Sequence, residues 1–213
     1  VTGLSTPFWA KVQEVRDAII DFRTSGKPVY AYLEYGGDRD FYLATAADRV
    51  FLMPSSPLDF AGVATYEVFL RGALDKAGVY PDLHHIGDYK TASNTFTEQS
   101  FTDAHREMDA SLNADLLGQV LAGVAERRRK SVADVRALID RGPFLPQAAV
   151  DAGLVDEVAY EDQALGQLRT ALGERGERTI EAARYGKVPL SSLGLNRGPR
   201  VAVVYATGAI TGG

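Results

Sequence analysis

The sequence predicts an α/β fold built on a mostly parallel sheet, and three observations carry that prediction. The runs Val29-Tyr30-Ala31-Tyr32-Leu33 and Arg49-Val50-Phe51-Leu52-Met53 are strand-formers without polar alternation, which suits strands buried on both faces. The segments around them show the three-and-four spacing of amphipathic helices. The two patterns alternate along the chain, as strand–helix–strand units do.

Residues 8–24 place Trp9, Val12, Val15, Ile19 and Phe22 on one helical face, and Gly26 and Pro28 end that helix. After the first strand, Gly36-Gly37-Asp38-Arg39-Asp40 reads as a turn and residues 41–47 as a short helix. Pro54 stops the second strand, and a loop over 55–62 leads into a helix over about 65–78 with Val68, Leu70, Leu74 and Ala77 apolar. Asp82-Leu83-His84-His85-Ile86 is a third candidate strand, ended by Gly87. Residues 102–129 form a long helix with Met108, Leu112, Leu116, Leu117, Val120 and Val124 in register. Ser131-Val132-Ala133-Asp134 resembles a capping box and opens a helix to about Asp140. A short helix over 146–152, an extended segment over 154–158 and a helix over 161–173 follow. From Arg184 to Arg200, Pro, Gly, Ser and Asn replace the apolar periodicity, the composition of a linker. Val201-Ala202-Val203-Val204-Tyr205 then reads as a new buried strand.

Composition narrows the function classes. A chain of 213 residues fits one large domain, or one domain plus a piece of another. The 46% apolar and 24% charged fractions are those of an ordinary globular protein. A net charge of -5 argues against nucleic acid as the main partner, because phosphate binding needs clustered cations. The lack of cysteine excludes disulfides and cysteine-ligated metals, and three histidines (His84, His85, His105) leave little material for a metal site, so no cofactor is expected. No apolar run approaches the roughly 18 residues of a membrane span, and no signal peptide is visible. The chain starts at Val1 and stops just after a strand-like run, so it is expected to be an internal piece of a longer protein.

Lys90, in the turn Gly87-Asp88-Tyr89-Lys90-Thr91-Ala92-Ser93-Asn94, is the leading candidate for chemistry. A lysine acts as a general base only when neutral, which requires burial or a nearby cation. It follows an apolar run, where catalytic loops of α/β folds lie. On local sequence alone, a solvated loop lysine is the commoner reading. Gly36-Gly37 lacks the spacing of a dinucleotide fingerprint or P-loop, and Asp38 and Asp40 lack a calcium-loop spacing, so these read as a plain turn with solvated acids. On a strand, His84 and His85 face opposite ways, and structural or exposed positions suit both. The cationic run Glu126-Arg127-Arg128-Arg129-Lys130 is accounted for by the dipole of a helix C-terminus. No Gly-x-Ser-x-Gly elbow is present.

Three segments carry a resemblance to a known family: residues 41–50 (Phe-Tyr-Leu-Ala-Thr-Ala-Ala-Asp-Arg-Val), Gly87-Asp88-Tyr89-Lys90-Thr91-Ala92, and Ala152-Gly153-Leu154-Val155-Asp156-Glu157. From about Phe8 onward the chain resembles the signal peptide peptidase A (protease IV) family of bacterial serine proteases. The resemblance implies crotonase/ClpP-like repeated ββα units around a mostly parallel sheet, with long outer helices. It implies a Ser/Lys dyad, a variant of the serine-protease triad, with Lys90 as the general base. The family's serine lies in a Ser-Gly-Gly-aromatic-aromatic motif, where this chain has Asp38-Arg39-Asp40-Phe41-Tyr42. Asp38 thus stands at the serine position, and both glycines are replaced.

Long members of the family are tandem duplications in which the first half keeps the lysine and the second the serine. The resemblance therefore divides the chain into a lysine-bearing repeat over 1–183 that lacks its first strand, a linker over 184–200, and the opening strand of the serine-bearing repeat over 201–213. It implies a membrane-anchored homo-oligomer on the extracytoplasmic side of the bacterial cell membrane. Its partners would be cleaved signal peptides or other unfolded apolar peptides, bound by strand addition. Two other readings stand beside it: a catalytically degenerate repeat serving assembly or substrate docking, and a crotonase-like acyl-CoA enzyme, for which no complete set of groups is visible.

Overall fold

The computed structural model describes residues 8–173, 179–194, 198–199, 201–205 and 207. Two parallel sheets organise it. Strands β1 (Tyr30–Leu33), β3 (Arg49–Leu52) and β5 (Glu157–Val158) form the larger, in the order β1-β3-β5. Strands β2 (Gly36–Gly37) and β4 (Leu58–Asp59) form the smaller. Each long strand is thus followed by a short one in the second sheet. The first pair leads directly into helix α2 (Asp38–Ala44), and helix α3 (Arg71–Ala77) comes after the second. This is the ββα repeat that the resemblance implies.

Both faces of the larger sheet are covered, which explains why its strands read as unbroken apolar runs. Ala31, Leu33, Val50 and Leu52 point into the main core, with α1 (Trp9–Arg23), α2 and the C-terminal half of α5 (Asp103–Arg128). Tyr30, Tyr32 and Phe51, at the alternate positions, pack on the other face with Ala159 and with Ala164 of α8 (Glu161–Leu172).

One polar side chain ties the main core together. Arg16 of α1 is only 3% exposed. Its guanidinium donates to Tyr42 O at 2.6 Å, Thr45 Oγ1 at 2.9 Å and Gly123 O at 2.9 Å, and stacks 4.4 Å from the Tyr42 ring. Burial lowers its pKa, because the charge has left water. The carbonyl and hydroxyl acceptors, drawn from α2 and α5, compensate that loss. Close approach of α5 depends on Gly123, where a Cβ would meet Tyr42 Cε2 at 2.6 Å.

The end of α5 is docked rather than merely dipole-matched. Arg127 Nε donates to Thr45 O at 3.2 Å, and Arg128 bonds both Asp156 oxygens at 3.1 and 3.0 Å. The expected capping box opens α6 (Val132–Ile139), with Asp134 N donating to Ser131 Oγ at 3.0 Å and Ser131 N to Asp134 Oδ2 at 3.3 Å. Helix α7 (Pro146–Asp151) follows.

The structure corrects five expectations. Residues 82–86 are exposed and outside any strand, because no sheet edge meets them and strand propensity needs a neighbour. Helix α3 starts at Arg71, not near 65; Phe69 packs edge-on against Phe101, and Leu70 N bonds Thr95 O at 2.6 Å, which hold the preceding stretch extended. Gly36-Gly37 is strand β2, and the helix begins at Asp38, whose charge suits a helix N-terminus. Val15 and Phe22 are 38% and 48% exposed, and Arg16 takes the buried position on α1 instead. Residues 201–205 are exposed and unpaired: the described strands offer them no partner. The linker stretch is exposed; it starts in α9 (Ala182–Tyr185) and carries a 3-10 turn over Leu190–Leu193, while 195–197, 200, 206 and 208–213 lie outside the described residues.

Replacing Arg16 with Met is expected to lower stability by about 2–4 kcal/mol, since it strands buried acceptors, and urea denaturation measures it. Gly123→Ala is expected to lower it by about 1–3 kcal/mol through overpacking against Tyr42.

Candidate active site

The turn bearing Lys90 belongs to an arm rather than to the core. No residue between Phe60 and Leu117 joins the main core cluster. The arm comprises the extended stretch before α3, α3 itself, the lysine turn, a 3-10 turn over Thr91–Ser93, α4 (Asn94–Thr97) and the N-terminal half of α5. It has its own small centre. His105 and Asn94 are each 4% exposed, and the His105 ring packs 4.9 Å from Phe101 and 6.0 Å from Phe69.

Several contacts fix the lysine turn to α5. Gly87 supplies a positive φ of 89°, and Lys90 N donates to Gly87 O at 3.3 Å. Tyr89 donates its hydroxyl proton to Glu107 Oε2 at 2.7 Å, and Thr91 Oγ1 lies 3.9 Å from Met108 Sδ. Asn94 Nδ2 lies 3.5 Å from Thr102 Oγ1 and 3.4 Å from His105 Nδ1. Lys90 itself is exposed, and among the described residues its ammonium has no hydrogen bond or ion pair. The backbone around it is held while its charged end is exposed.

Asp38 sits at the first position of α2, directly after β2. It is half-buried rather than solvated, and Asp40 is half-buried as well. Asp38 Oδ1 accepts from Gly62 N at 3.0 Å. Burial raises its pKa, the backbone bonds to Gly62 and Ala61 oppose that rise, and the nearby charge of Asp59 adds to it. Asp38 therefore clamps the 61–62 loop to the start of α2. Among the described residues no hydrogen bond or ion pair joins it to Lys90.

The remaining candidates take structural or exposed places. The His84 side chain is 94% exposed, and His85 Nδ1 is 3.0 Å from Gly87 O. The sequence reading passed over Asn94, His105 and Arg16. Arg16 was detectable, since Val12, Arg16 and Ile19 follow helical spacing and place a cation on the apolar face. Likewise His105 and Asp109 are one turn apart on a helix.

Asp38→Asn is expected to raise the melting temperature at neutral pH. A carboxyl whose folded pKa is raised contributes stability below its unfolded pKa and loses it as pH rises through the folded value. The amide keeps an acceptor for Gly62 N without the buried charge. The gain should vanish as pH falls into the ordinary carboxylate range, which melting curves across that range will show.

Comparison with known proteins bears on the whole arrangement. The profile of peptidase family S49 matches residues 21–174. The chain is 30% identical over 207 residues to the chloroplastic serine protease SPPA of Arabidopsis thaliana, covering 95% of this chain and 31% of that protein. It is 29% identical over 221 residues to protease 4 of Salmonella typhi, covering 100% of this chain and 35% of the relative. It is also 30% identical over 145 residues to capsid assembly protease C of Escherichia phage lambda, covering 64% of this chain and 30% of that one. The chain thus spans about a third of the length of the first two relatives. With the family profile matching well over half of the sequence, the chain belongs to peptidase family S49.

Proposed function

We propose that this chain is the lysine-bearing part of a serine endopeptidase that works by a Ser/Lys dyad and degrades cleaved signal peptides. The observation that supports the reading is the lysine turn: its backbone is anchored to α5 through Tyr89, Thr91 and Asn94, while among the described residues the exposed Lys90 ammonium has no hydrogen bond or ion pair. A residue that only covered surface would not need a fixed backbone. The similarity to SPPA and to protease 4 supports the serine-protease class.

In this reading neutral Lys90 takes the proton of a serine hydroxyl, and the oxygen attacks the peptide carbonyl. Backbone N–H groups hold the oxyanion. The protonated lysine then returns its proton to the leaving amine, and water, deprotonated in turn by Lys90, hydrolyses the acyl-enzyme. Asp38 cannot act as the serine does: a carboxylate has no hydroxyl for Lys90 to deprotonate, and this one is engaged by the 61–62 loop. In this reading the serine comes from the second repeat of the tandem, outside the lysine-bearing repeat over 1–183 and beyond the linker over 184–200. Packing of that serine-bearing surface over Lys90 is what would exclude water and keep the amine neutral. A membrane-anchored homo-oligomer on the extracytoplasmic side belongs to the same proposal and rests on the family resemblance. No helix among the described residues is long and apolar enough to cross a membrane.

A second reading, assembly or substrate docking without catalysis, draws on the exposure of Lys90 and of Tyr66, Ile86 and Tyr89, which are 90%, 88% and 56% exposed. The two readings separate in the full-length protein. Lys90→Ala is expected to reduce peptide turnover by roughly 10³-fold with an unchanged melting temperature, the scale of a lost general base. Lys90→Arg should not restore it, because a guanidinium does not give up its proton. Near-normal turnover in Lys90→Ala establishes the docking reading instead. The purified 213-residue chain is expected to be inactive on its own. Hydrolysis by it that survives Lys90→Ala refutes both the site and the mechanism.

A further inference from the structure

A second group of chemically capable side chains lies in the arm. His105 and Asp109 are one turn apart on α5 and share a face of that helix. Glu67 approaches from the extended stretch before α3. One donor atom from each of the three lies within 4.8 Å of the other two. Glu67 is exposed, while the His105 and Asp109 side chains are 5% and 14% exposed.

Two features of this group are unexplained by the fold. His105 Nε2 faces Asp109 Oδ2 at 3.8 Å, which is beyond hydrogen-bond reach. Asp109 Oδ2 is shut off from solvent, and among the described residues it has no hydrogen-bond partner. A buried carboxylate oxygen left in that state is destabilising, and native proteins rarely retain one without a reason. Here two strong donor atoms face each other across a gap, with a second carboxylate, that of Glu67, beside them.

We propose that Glu67, His105 and Asp109 bind a divalent zinc-type cation. Zinc takes imidazole nitrogen and carboxylate oxygen at about 2.0–2.2 Å, which sets two ligands of a tetrahedral ion about 3.3 Å apart. The 3.8 Å between His105 Nε2 and Asp109 Oδ2 is about half an ångström wider than that, and Glu67, within 4.8 Å of both, moves in with it to complete the three ligands. Two carboxylates balance its charge, and the imidazole favours zinc over calcium or magnesium, which prefer all-oxygen shells. Three protein ligands leave the fourth position for water. The tautomer is within reach as well. Asn94 Nδ2 lies 3.4 Å from His105 Nδ1, and turning the amide over places its oxygen there instead. Nδ1–H then donates to Asn94, and Nε2 offers its lone pair to the ion. The rings of Phe69 and Phe101 hold the imidazole in place. The ion would join the stretch before α3 to α5 and, through Asn94, to the segment that follows Lys90. One histidine suffices because the other ligands are carboxylates, which is why a count of histidines gave no hint of the site.

Calorimetric titration of the chelator-treated protein with zinc chloride near neutral pH tests this, with cobalt(II) absorption as a second readout. One equivalent should bind with micromolar affinity, raise the melting temperature, and give cobalt bands characteristic of four-coordination. Asp109→Asn and His105→Gln should each weaken binding by about 10–100-fold. Glu67→Gln, at an exposed position, should weaken it without altering the metal-free melting curve, which keeps the test decisive if a buried variant fails to fold. The double variant His84→Ala/His85→Ala should bind normally. The proposal is overturned if the protein takes up neither metal at roughly 1 mM. It also falls if binding survives Glu67→Gln and Asp109→Asn but is lost with His84 and His85.

Discussion

A single buried guanidinium holds the parts of this molecule in register. Arg16 reaches from α1 to the carbonyl of Tyr42 at the end of α2 and to that of Gly123 in α5, and covers the Tyr42 ring on the way. A charge this deeply buried is tolerated only when its donors are satisfied. The geometry of its acceptors therefore constrains where three helices sit. The glycine at 123 is part of the same constraint, since any side chain there would drive α5 away from Tyr42. Around this tie, the two faces of the β1-β3-β5 sheet are closed by α1, α2 and α5 on one side and α8 on the other.

The consequence for function lies in what α5 does next. Its C-terminal half is core, with Val120, Leu121, Val124 and Ala125 buried, while its N-terminal half leaves the core behind, with Leu112 54% exposed. The lysine turn is built on that projecting half. An element rigidly fixed at one end and free at the other is a mount: it holds Tyr89, Thr91 and Asn94 by way of Glu107, Met108 and His105. The arm thus gains order from local contacts, without a share of the main core.

Asp38 has a structural place at the start of α2. At the start of α2 a carboxylate satisfies the Gly62 amide and complements the helix N-terminus, so the position remains structurally occupied. Burial raises its pKa, and Asp59 nearby adds to that. The position that the resemblance assigns to a serine nucleophile therefore serves here as a clamp between α2 and the loop after β4.

The sequence by itself determined the α/β class, the two long strands, the long helix and the Ser131–Asp134 cap. Each of these rests on local periodicity, on end signals or on short motifs, which one-dimensional patterns encode directly. The tertiary structure alone decided the rest. Pairing with Leu58-Asp59 turned Gly36-Gly37 from a turn into a strand, while residues 82–86 pair with none of the described strands. Distant partners made Arg16 a core residue and brought Asn94, His105, Asp109 and Glu67 together. Strand pairing and the satisfaction of buried polar groups depend on residues far apart in the chain, and no local window of sequence contains both sides of such a contact.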